Sequence, residues 1–368
     1  YANACLKVRI ESLSIQNFRS ISLFNISFSK DITVICGENN VGKTSLLEAI
    51  YLSSNLKSFK SVPNSELINK SSDYFKISVN FTNNSINNNI FVEKSIKSAK
   101  VLHNNKKVTK QNISLAFPCY SLVFGFNNIL LNDAAYRRDF LDSGMFHVEH
   151  ESRKYYLDYE KTLKQRNFLL KSNKYEQSMW DSQLIEYNNL LSSFRLSYFE
   201  SLNREFSKII NDLKTAIPEI YNDISSLKLK YSIGWDGKNY SDYLQQNLNK
   251  DKSIGYTSGG THRSDFTVTS SNKSVKESGS MSTLVLACLI INLARINVFH
   301  VKHGFKPILL IDDLFFGIDN KNLTTVVKLL VHSKGNIVLT APNIYREILE
   351  NISSENKGFE VIVIGDNN

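Results

Sequence analysis

Apolar and polar residues alternate from the start of the chain: Leu6, Val8 and Ile10, then Leu13 and Ile15, then Ile21, Leu23 and Phe24. A period of two predicts strands with one face turned to a core. The next segment, Ile32-Thr33-Val34-Ile35-Cys36, is apolar almost throughout and stops at Gly37, as expected of a strand buried on both faces. Thr44 to Ser53 then carries Leu46, Leu47, Ala49, Ile50 and Leu52, which predicts a helix. Residues 74–125 are β-rich again, with Ile77, Val79 and Phe81 alternating, then Ile90 and Val92. Asn104-Asn105, between Val101-Leu102 and Lys107-Val108, predicts a hairpin turn.

From Asp133 to Lys250 the pattern changes. Pro218 is the one proline, charges alternate in sign, and apolar residues recur at three- and four-residue spacing. Tyr156, Tyr159, Leu163, Arg166 and Leu170 share one helical stripe, and Leu184, Tyr187, Leu191 and Phe194 another. Both stripes are read as core rather than as surfaces for stacking bases. Beyond Asp251 come short β segments, a helix near 281–299, a strand at Ile308–Ile311, a helix at Thr324–Leu330 and a strand at Ile337–Thr340. Strands and helices on both sides of a helical insertion predict an α/β core split in sequence. The expected division is a head formed by 1–132 and 251–368, with 133–250 as an inserted helical arm.

Composition narrows the class. The 368 residues are 42% hydrophobic and 21% charged, which excludes a mainly disordered or collagen-like chain. The most apolar run, Thr283 to Phe299, is interrupted by Asn292, Arg295 and Asn297, so no membrane span is expected. Asn17, Arg19 and Ser20 interrupt any secretory signal, and a chain opening on Tyr1 is not expected to begin at the genetic start. Cys5, Cys36, Cys119 and Cys288 lack C-x-x-C spacing and are read as reduced thiols of a cytoplasmic protein. The net charge of +9 permits an anionic partner but does not identify one.

Chemistry enters at Gly37-Glu38-Asn39-Asn40-Val41-Gly42-Lys43-Thr44, a complete G-x-x-x-x-G-K-[ST] loop between a predicted strand and a predicted helix. Its glycines permit a tight turn round a polyphosphate, and backbone N–H groups at the helix start meet the negative charge. Lys43 is expected to reach the β- and γ-phosphates of ATP and Thr44 to hold Mg²⁺, with Ser45 completing the nucleotide-binding set. Ile308-Leu309-Leu310-Ile311-Asp312-Asp313 is the matching apolar strand ending in paired carboxylates. Asp312 is expected to orient Mg²⁺ through water and Asp313 to act as general base. Asp319, seven residues past Asp312, suits a loop across a dimer interface, and Thr340 is expected on the γ-phosphate side.

A phosphate loop and second motif more than 260 residues apart resemble ATP-binding-cassette ATPases of the SMC-like branch. Ile15-Gln16-Asn17-Phe18-Arg19-Ser20 looks like that branch's N-F-R/K segment, which adds Arg19 to the nucleotide-binding set. Within the branch, Tyr136-Arg137-Arg138-Asp139-Phe140-Leu141-Asp142, Phe146-His147-Val148-Glu149, Leu163-Lys164-Gln165-Arg166-Asn167 and Trp180-Asp181 resemble the RecF family of bacterial recombination and repair proteins. Gly260-Thr261-His262-Arg263-Ser264-Asp265 is similar to that family's G-P-H-R-x-D. The resemblance implies an ABC-type P-loop ATPase head, two-lobed with a mixed sheet, an inserted helical arm and ATP-dependent homodimerisation. It also implies DNA binding at gaps and single-strand/double-strand junctions, with partners of the RecR and RecO type. His262 and Arg263 are expected near the nucleotide or the dimer interface, or else as structural residues of a tight turn.

The chain departs from the family in three places. Where an S-x-G-Q signature is expected it has Glu277-Ser278-Gly279-Ser280, so Ser278, Gly279 and Asp319 are the trans-interface candidates. Phe124-Gly125-Phe126-Asn127-Asn128-Ile129 replaces F-x-P-E-D-L, and Phe316-Gly317-Ile318-Asp319 replaces S-E-L-D. The first reading is a weak ATPase that closes as a dimer on DNA with ATP and reopens on slow hydrolysis, aiding recombinase loading. The alternative is an ATP- and DNA-binding scaffold with little hydrolysis, because a carboxylate at 277 would repel a γ-phosphate. A third, a transporter-type ATPase subunit, lacks an L-S-G-G-Q run. For DNA, residues 93–110 hold six Lys and one Glu. The candidates are Lys106, Lys107 and Lys110, with Lys94, Lys97 and Lys100 alongside, and Arg153, Lys154, Lys161, Lys164 and Arg166 on the arm.

Overall fold

The phase of the opening alternation slips between Ile10 and Leu13, and the fold accounts for the slip. In a computed structural model describing residues 8–60, 62–123, 129–172, 175, 179–237, 239–315 and 320–365, strand pairing shifts register between Ile10 and Ser12. This bulge keeps Val8, Ile10, Leu13 and Ile15 all on the buried face.

The strands are β1 (Val8–Phe18), β2 (Ile21–Ser27), β3 (Ile32–Gly37), β4 (Tyr74–Asn83), β5 (Ile86–Ser95), β6 (Ala99–His103), β7 (Lys106–Lys107), β8 (Cys119–Val123), β9 (Leu227–Ser232), β10 (Asp265–Ser270), β11 (Lys273–Ser274), β12 (Ile308–Asp312), β13 (Asn336–Pro342) and β14 (Phe359–Ile364). The helices are α1 (Lys43–Asn55), α2 (Asn64–Leu67), α3 (Lys110–Ala116), α4 (Ala134–Val148), α5 (Ser152–Lys171), α6 (Met179–Ala216), α7 (Pro218–Ile224), α8 (Tyr240–Gln246), α9 (Leu248–Ile254), α10 (Val275–Ser278), α11 (Met281–His303), α12 (Asn320–His332) and α13 (Arg346–Glu355).

The chain divides into two compact units, Tyr1–Asn128 with Thr215–Ile220 and Phe299–Asn368, and Ile129–Lys214 with Tyr221–Val298. The first unit holds an antiparallel sheet in the order β2-β1-β4-β5-β6-β7 and a five-stranded sheet in the order β14-β3-β13-β12-β8. Every pairing in the second sheet is parallel, and β3 and β12 are buried along their whole length. That burial is the reason their sequences read as continuous apolar runs. Asn104 and Asn105 both take positive φ, 49° and 62°, and make the predicted hairpin turn between β6 and β7.

The second unit packs its helices with a sheet in the order β11-β10-β9. Strand β9 lies within the stretch 133–250 expected to be a helical arm. Its buried Leu227 and Leu229 alternate with exposed Lys228 and Lys230, a signal six residues long inside a helix-dominated stretch. The unit also runs on past Lys250 to Val298. Tyr159, Leu163 and Leu170 are buried, as are Leu184 and Leu191, so both stripes serve as core. Helix α11 is long and apolar enough to cross a membrane, with a mean hydropathy of 2.0 in its most apolar window, yet 83% of that window is buried within the protein, as in a core helix. Two of its interrupting residues bond within the fold: Asn292 Nδ2 donates to Cys288 O at 2.9 Å and Arg295 Nη2 to Ser143 Oγ at 2.8 Å. Cys36, Cys119 and Cys288 are buried and stand outside any disulfide among the described residues; Cys5 lies outside those residues.

Ion pairs tie the second unit together. Arg137 meets Asp265 at 2.7 Å, Arg195 meets Asp142 at 2.8 Å, and Arg166 meets both Asp181 at 2.9 Å and Asp251 at 2.8 Å. The side chains of Arg166 and Asp251 are both 0% exposed. Removing one partner of such a pair leaves the other charge buried and uncompensated. Arg166→Met is therefore expected to destabilise the second unit by about 3–5 kcal/mol. Trp180 and Trp235, the chain's two tryptophans, both belong to this unit. Tryptophan fluorescence in a denaturant titration should report the loss, and an unchanged midpoint would refute it.

Candidate functional site

The loop after β3 is shaped by two residues in the left-handed region, Asn40 at φ 69° and Gly42 at φ 95°. Gly42 is also the N-cap of α1. At Gly37 a Cβ would lie 2.7 Å from Ile364 O on β14 and 2.9 Å from Val41 Cγ2, so only glycine fits there. Lys43 Nζ donates to the carbonyls of Gly37 at 2.8 Å and Glu38 at 2.6 Å, which folds the loop back over its own lysine. Burial holds the Lys43 pKa below the usual lysine value, with Asp313 the strongest of the acidic groups opposing that shift. Asn343, just past β13, donates to Glu38 Oε1 at 3.1 Å.

Opposite the loop, Asp312 ends β12 and is 4% exposed. Its Oδ1 accepts from Thr44 Oγ1 at 3.1 Å and from Thr340 Oγ1 at 2.8 Å. Thr340 Oγ1 also accepts the backbone N–H of Asp313 at 3.1 Å. Asp313 itself takes φ 55°, a strained conformation for aspartate. Burial raises the Asp312 pKa above the usual carboxylate value, and the hydroxyl of Thr340 is the main influence lowering it. The structure thus brings together Lys43, Thr44, Asp312 and Asp313. Thr340, expected on the γ-phosphate side, instead commits its hydroxyl to the two aspartates, because it is 0% exposed and needs partners within the fold. The Arg19 guanidinium is engaged by the carboxylate of Glu48 on α1, at 2.9 and 2.8 Å, and by Glu66 O at 3.1 Å. Glu48 is the partner that sequence reading missed; an acidic residue in the α1 apolar stripe was its only signal.

In the second unit, Thr261–Arg263 form a 3-10 turn. His262 Nε2 lies 3.1 Å from Thr257 O and must carry the hydrogen, since a carbonyl only accepts. Its Nδ1 then accepts from the hydroxyl of Tyr159 at 2.7 Å. Burial holds the imidazole pKa down to about 4, so the ring is neutral at physiological pH. Arg263 is exposed, with its guanidinium 5.6 Å from the centre of the Tyr256 ring. Glu277 is exposed, Ser278 Oγ donates to Ser274 O at 3.0 Å, and a Cβ on Gly279 would meet Val275 O at 2.6 Å. Ser280 Oγ accepts the Thr283 N–H at 3.1 Å and so caps the start of α11. Asp319 and residues 124–128 lie outside the described residues.

A family model described as an AAA ATPase domain matches residues 9–311. The DNA replication and repair protein RecF of Clostridium novyi (strain NT) is 30% identical over 327 residues, covering 84% of this chain and 87% of that protein. The chain belongs to the RecF family. RecF of Pseudoalteromonas translucida (strain TAC 125) is similar too, 28% identical over 340 residues, covering 90% and 91% of the two chains. The fold matches that of the recombination mediator protein RecF-ATP in the RecFOR pathway, with a TM-score of 0.73 at 24% identity, covering 92% of this chain and 94% of that one. The architecture is accordingly that of an ABC-type ATPase, in mixed α/β form.

The RecF-like motifs have their own place in this geometry. Arg137 and Asp142 of the first motif pair with Asp265 and Arg195, and Arg195 also donates to Thr261 O and Ser264 Oγ, each at 2.6 Å. Asn167 Oδ1 accepts from Thr257 N at 2.8 Å. Two expected DNA contacts are corrected. Arg166 is buried in its ion pairs, and Lys94 is 7% exposed with Nζ donating to Leu56 O at 2.7 Å. Lys106, Lys107, Lys110, Arg153 and Lys154 are exposed.

The raised pKa of Asp312 means that the folded state holds its proton more tightly than the unfolded chain, so the ionised carboxylate opposes folding once the pH exceeds the folded pKa. Asp312→Asn should therefore raise the thermal midpoint of the ligand-free chain at pH 7, and the gain should vanish below the ordinary aspartate pKa of about 3.9. Calorimetry at pH 7 and pH 3.5 compares the two, and a midpoint lowered at pH 7 would contradict it.

Proposed function

We propose that this RecF-family chain is a DNA repair and recombination protein that binds Mg-ATP on the loop Gly37–Thr44 and closes as a dimer on gapped or junction DNA. Slow hydrolysis would reopen the dimer, and the cycle would aid recombinase loading together with RecR- and RecO-type mediators in the cytoplasm. The observation that carries the reading is the buried Asp312 carboxylate, hydrogen-bonded by Thr44 of the phosphate loop and placed beside Asp313.

The residues fit both ligands. The Lys43 ammonium has backbone carbonyls as hydrogen-bond partners, which phosphate oxygens can replace with a stronger charge-assisted bond. A carboxylate and a hydroxyl together make the hard oxygen donor set that Mg²⁺ prefers, and Asp312 with Thr44 would supply it. Bound Mg²⁺ would neutralise charge on the β- and γ-phosphates. Lys43 would add positive charge on the same oxygens, and the Asp313 carboxylate would accept the proton of the attacking water.

A second reading, the scaffold with little hydrolysis, draws support from the signature segment. Glu277 is exposed where the family is expected to carry Ser, and the Ser280 hydroxyl is spent on capping α11. Sedimentation of the wild-type chain and Lys43→Ala, each with and without Mg-ATP, separates the readings. Lys43→Ala is expected to bind ATP about 10- to 100-fold more weakly, as befits loss of a charged hydrogen-bonding group. The wild type is expected to dimerise only with ATP, and the variant to stay monomeric. A wild type that binds ATP yet stays monomeric would favour the scaffold.

A further inference from the structure

On α5 the residues Lys161, Lys164, Phe168 and Lys171 recur at three- and four-residue spacing and so share one face, and all four are exposed. Phe168 leaves 66% of its surface in water. The segment that follows α9 is pinned along this end of α5. Thr257 N and Thr257 Oγ1 both donate to Asn167 Oδ1 at 2.8 Å, and a Cβ on Gly255 would lie 3.3 Å from Lys171 Cγ. Tyr256 sits between those two anchors and is 41% exposed. Lys252, on α9, is exposed as well, its Nζ 5.4 Å from the centre of the Tyr175 ring. Glu160 is the acid paired with Lys164, at 4.0 Å, but the lysine side chain is 78% exposed and the pair is worth little.

Single exposed apolar residues are ordinary. Two exposed rings on adjoining stretches of chain, bounded by lysines and, at Tyr256, by the Arg263 guanidinium 5.6 Å from the ring centre, are a different arrangement. Rings offer stacking surfaces to any base, and flanking cations track a phosphate backbone. We propose that this face of the second unit binds single-stranded nucleic acid, with bases stacked on Phe168 and Tyr256 and phosphates held by Lys161, Lys164, Lys171 and Lys252. The proposal rests on the DNA-repair reading and adds a site to it. At a rise of about 1.5 Å per residue, Lys161 to Lys171 spans about 15 Å, or some four stacked nucleotides at about 3.4 Å each. An acidic peptide would use the lysines and leave the rings idle, and a duplex keeps its base faces closed.

The test is fluorescence anisotropy of the full chain with a labelled oligo-dT strand, a duplex of equal length and a labelled poly-glutamate peptide, over a salt series. Phe168→Ala with Tyr256→Ala should weaken single-strand binding about tenfold or more per ring, leaving duplex binding and the salt slope unchanged. Lys161→Gln, Lys164→Gln and Lys171→Gln together should flatten the single-strand salt slope by about 2. Phe168→Trp should restore affinity, with indole fluorescence quenched by the stacked base. All these side chains are exposed, so an unchanged thermal midpoint shows that each variant folds. Loss in the lysine variant alone overturns the stacking assignment, as does a wild type that prefers poly-glutamate. Wild-type affinity and salt slope in both variants overturn this site while leaving the repair reading intact. A wild type that binds no DNA overturns both.

Discussion

A carboxylate almost sealed from water must be supplied with donors by the protein, and at Asp312 the donors are two threonine hydroxyls from different elements. Thr44 comes from the first turn of α1 and Thr340 from β13. The bond network closes only if α1 starts where it does, which requires the left-handed turn at Gly42, and only if β12 and β13 keep their parallel register. Thr340 Oγ1 also accepts the Asp313 N–H, so one buried hydroxyl holds both the Asp312 carboxylate and the Asp313 backbone. The loop Gly37–Thr44, the Thr44–Asp312 hydrogen bond and the sheet register are in this sense a single constraint.

Much of this was legible from residue order. Buried parallel strands show themselves as apolar runs, so β3 and β12 and the residues at their ends could be read directly. Position along a chain does not show where a side chain spends its hydrogen bonds. Thr340 and Arg19 are read for what they offer a nucleotide, and their bonds to the carboxylates of Asp312 and Glu48 have no signal in sequence spacing. Arg166 and Lys94 looked like surface cations because charge is read per residue, whereas burial depends on partners far away in sequence, such as Asp251 for Arg166. The strand β9 escaped notice because six alternating residues cannot outweigh the helical spacing on either side of them.

The RecF-like motifs of the second unit carry a related lesson. Residues that are specific enough to mark a family need not touch a ligand. Arg137, Asp142, Arg166, Asn167 and His262 are each bound to another side chain or to backbone within their own unit. They fix how the turn at Thr261–Arg263 stands relative to α4, α5 and α6, and they leave Arg263 as the member of that turn facing solvent.

The placing of β3 in its sheet has a consequence for biosynthesis. Both its neighbours, β13 and β14, come from the far end of the chain, and the Asn343 contact with Glu38 joins residues 305 apart. A ribosome delivers the phosphate loop early and its flanking strands late. During that interval an apolar strand meant for complete burial has no partner on either edge, while the second unit, formed from intervening sequence, is free to condense first. The nascent chain therefore carries β3 before either of its neighbouring strands has been made.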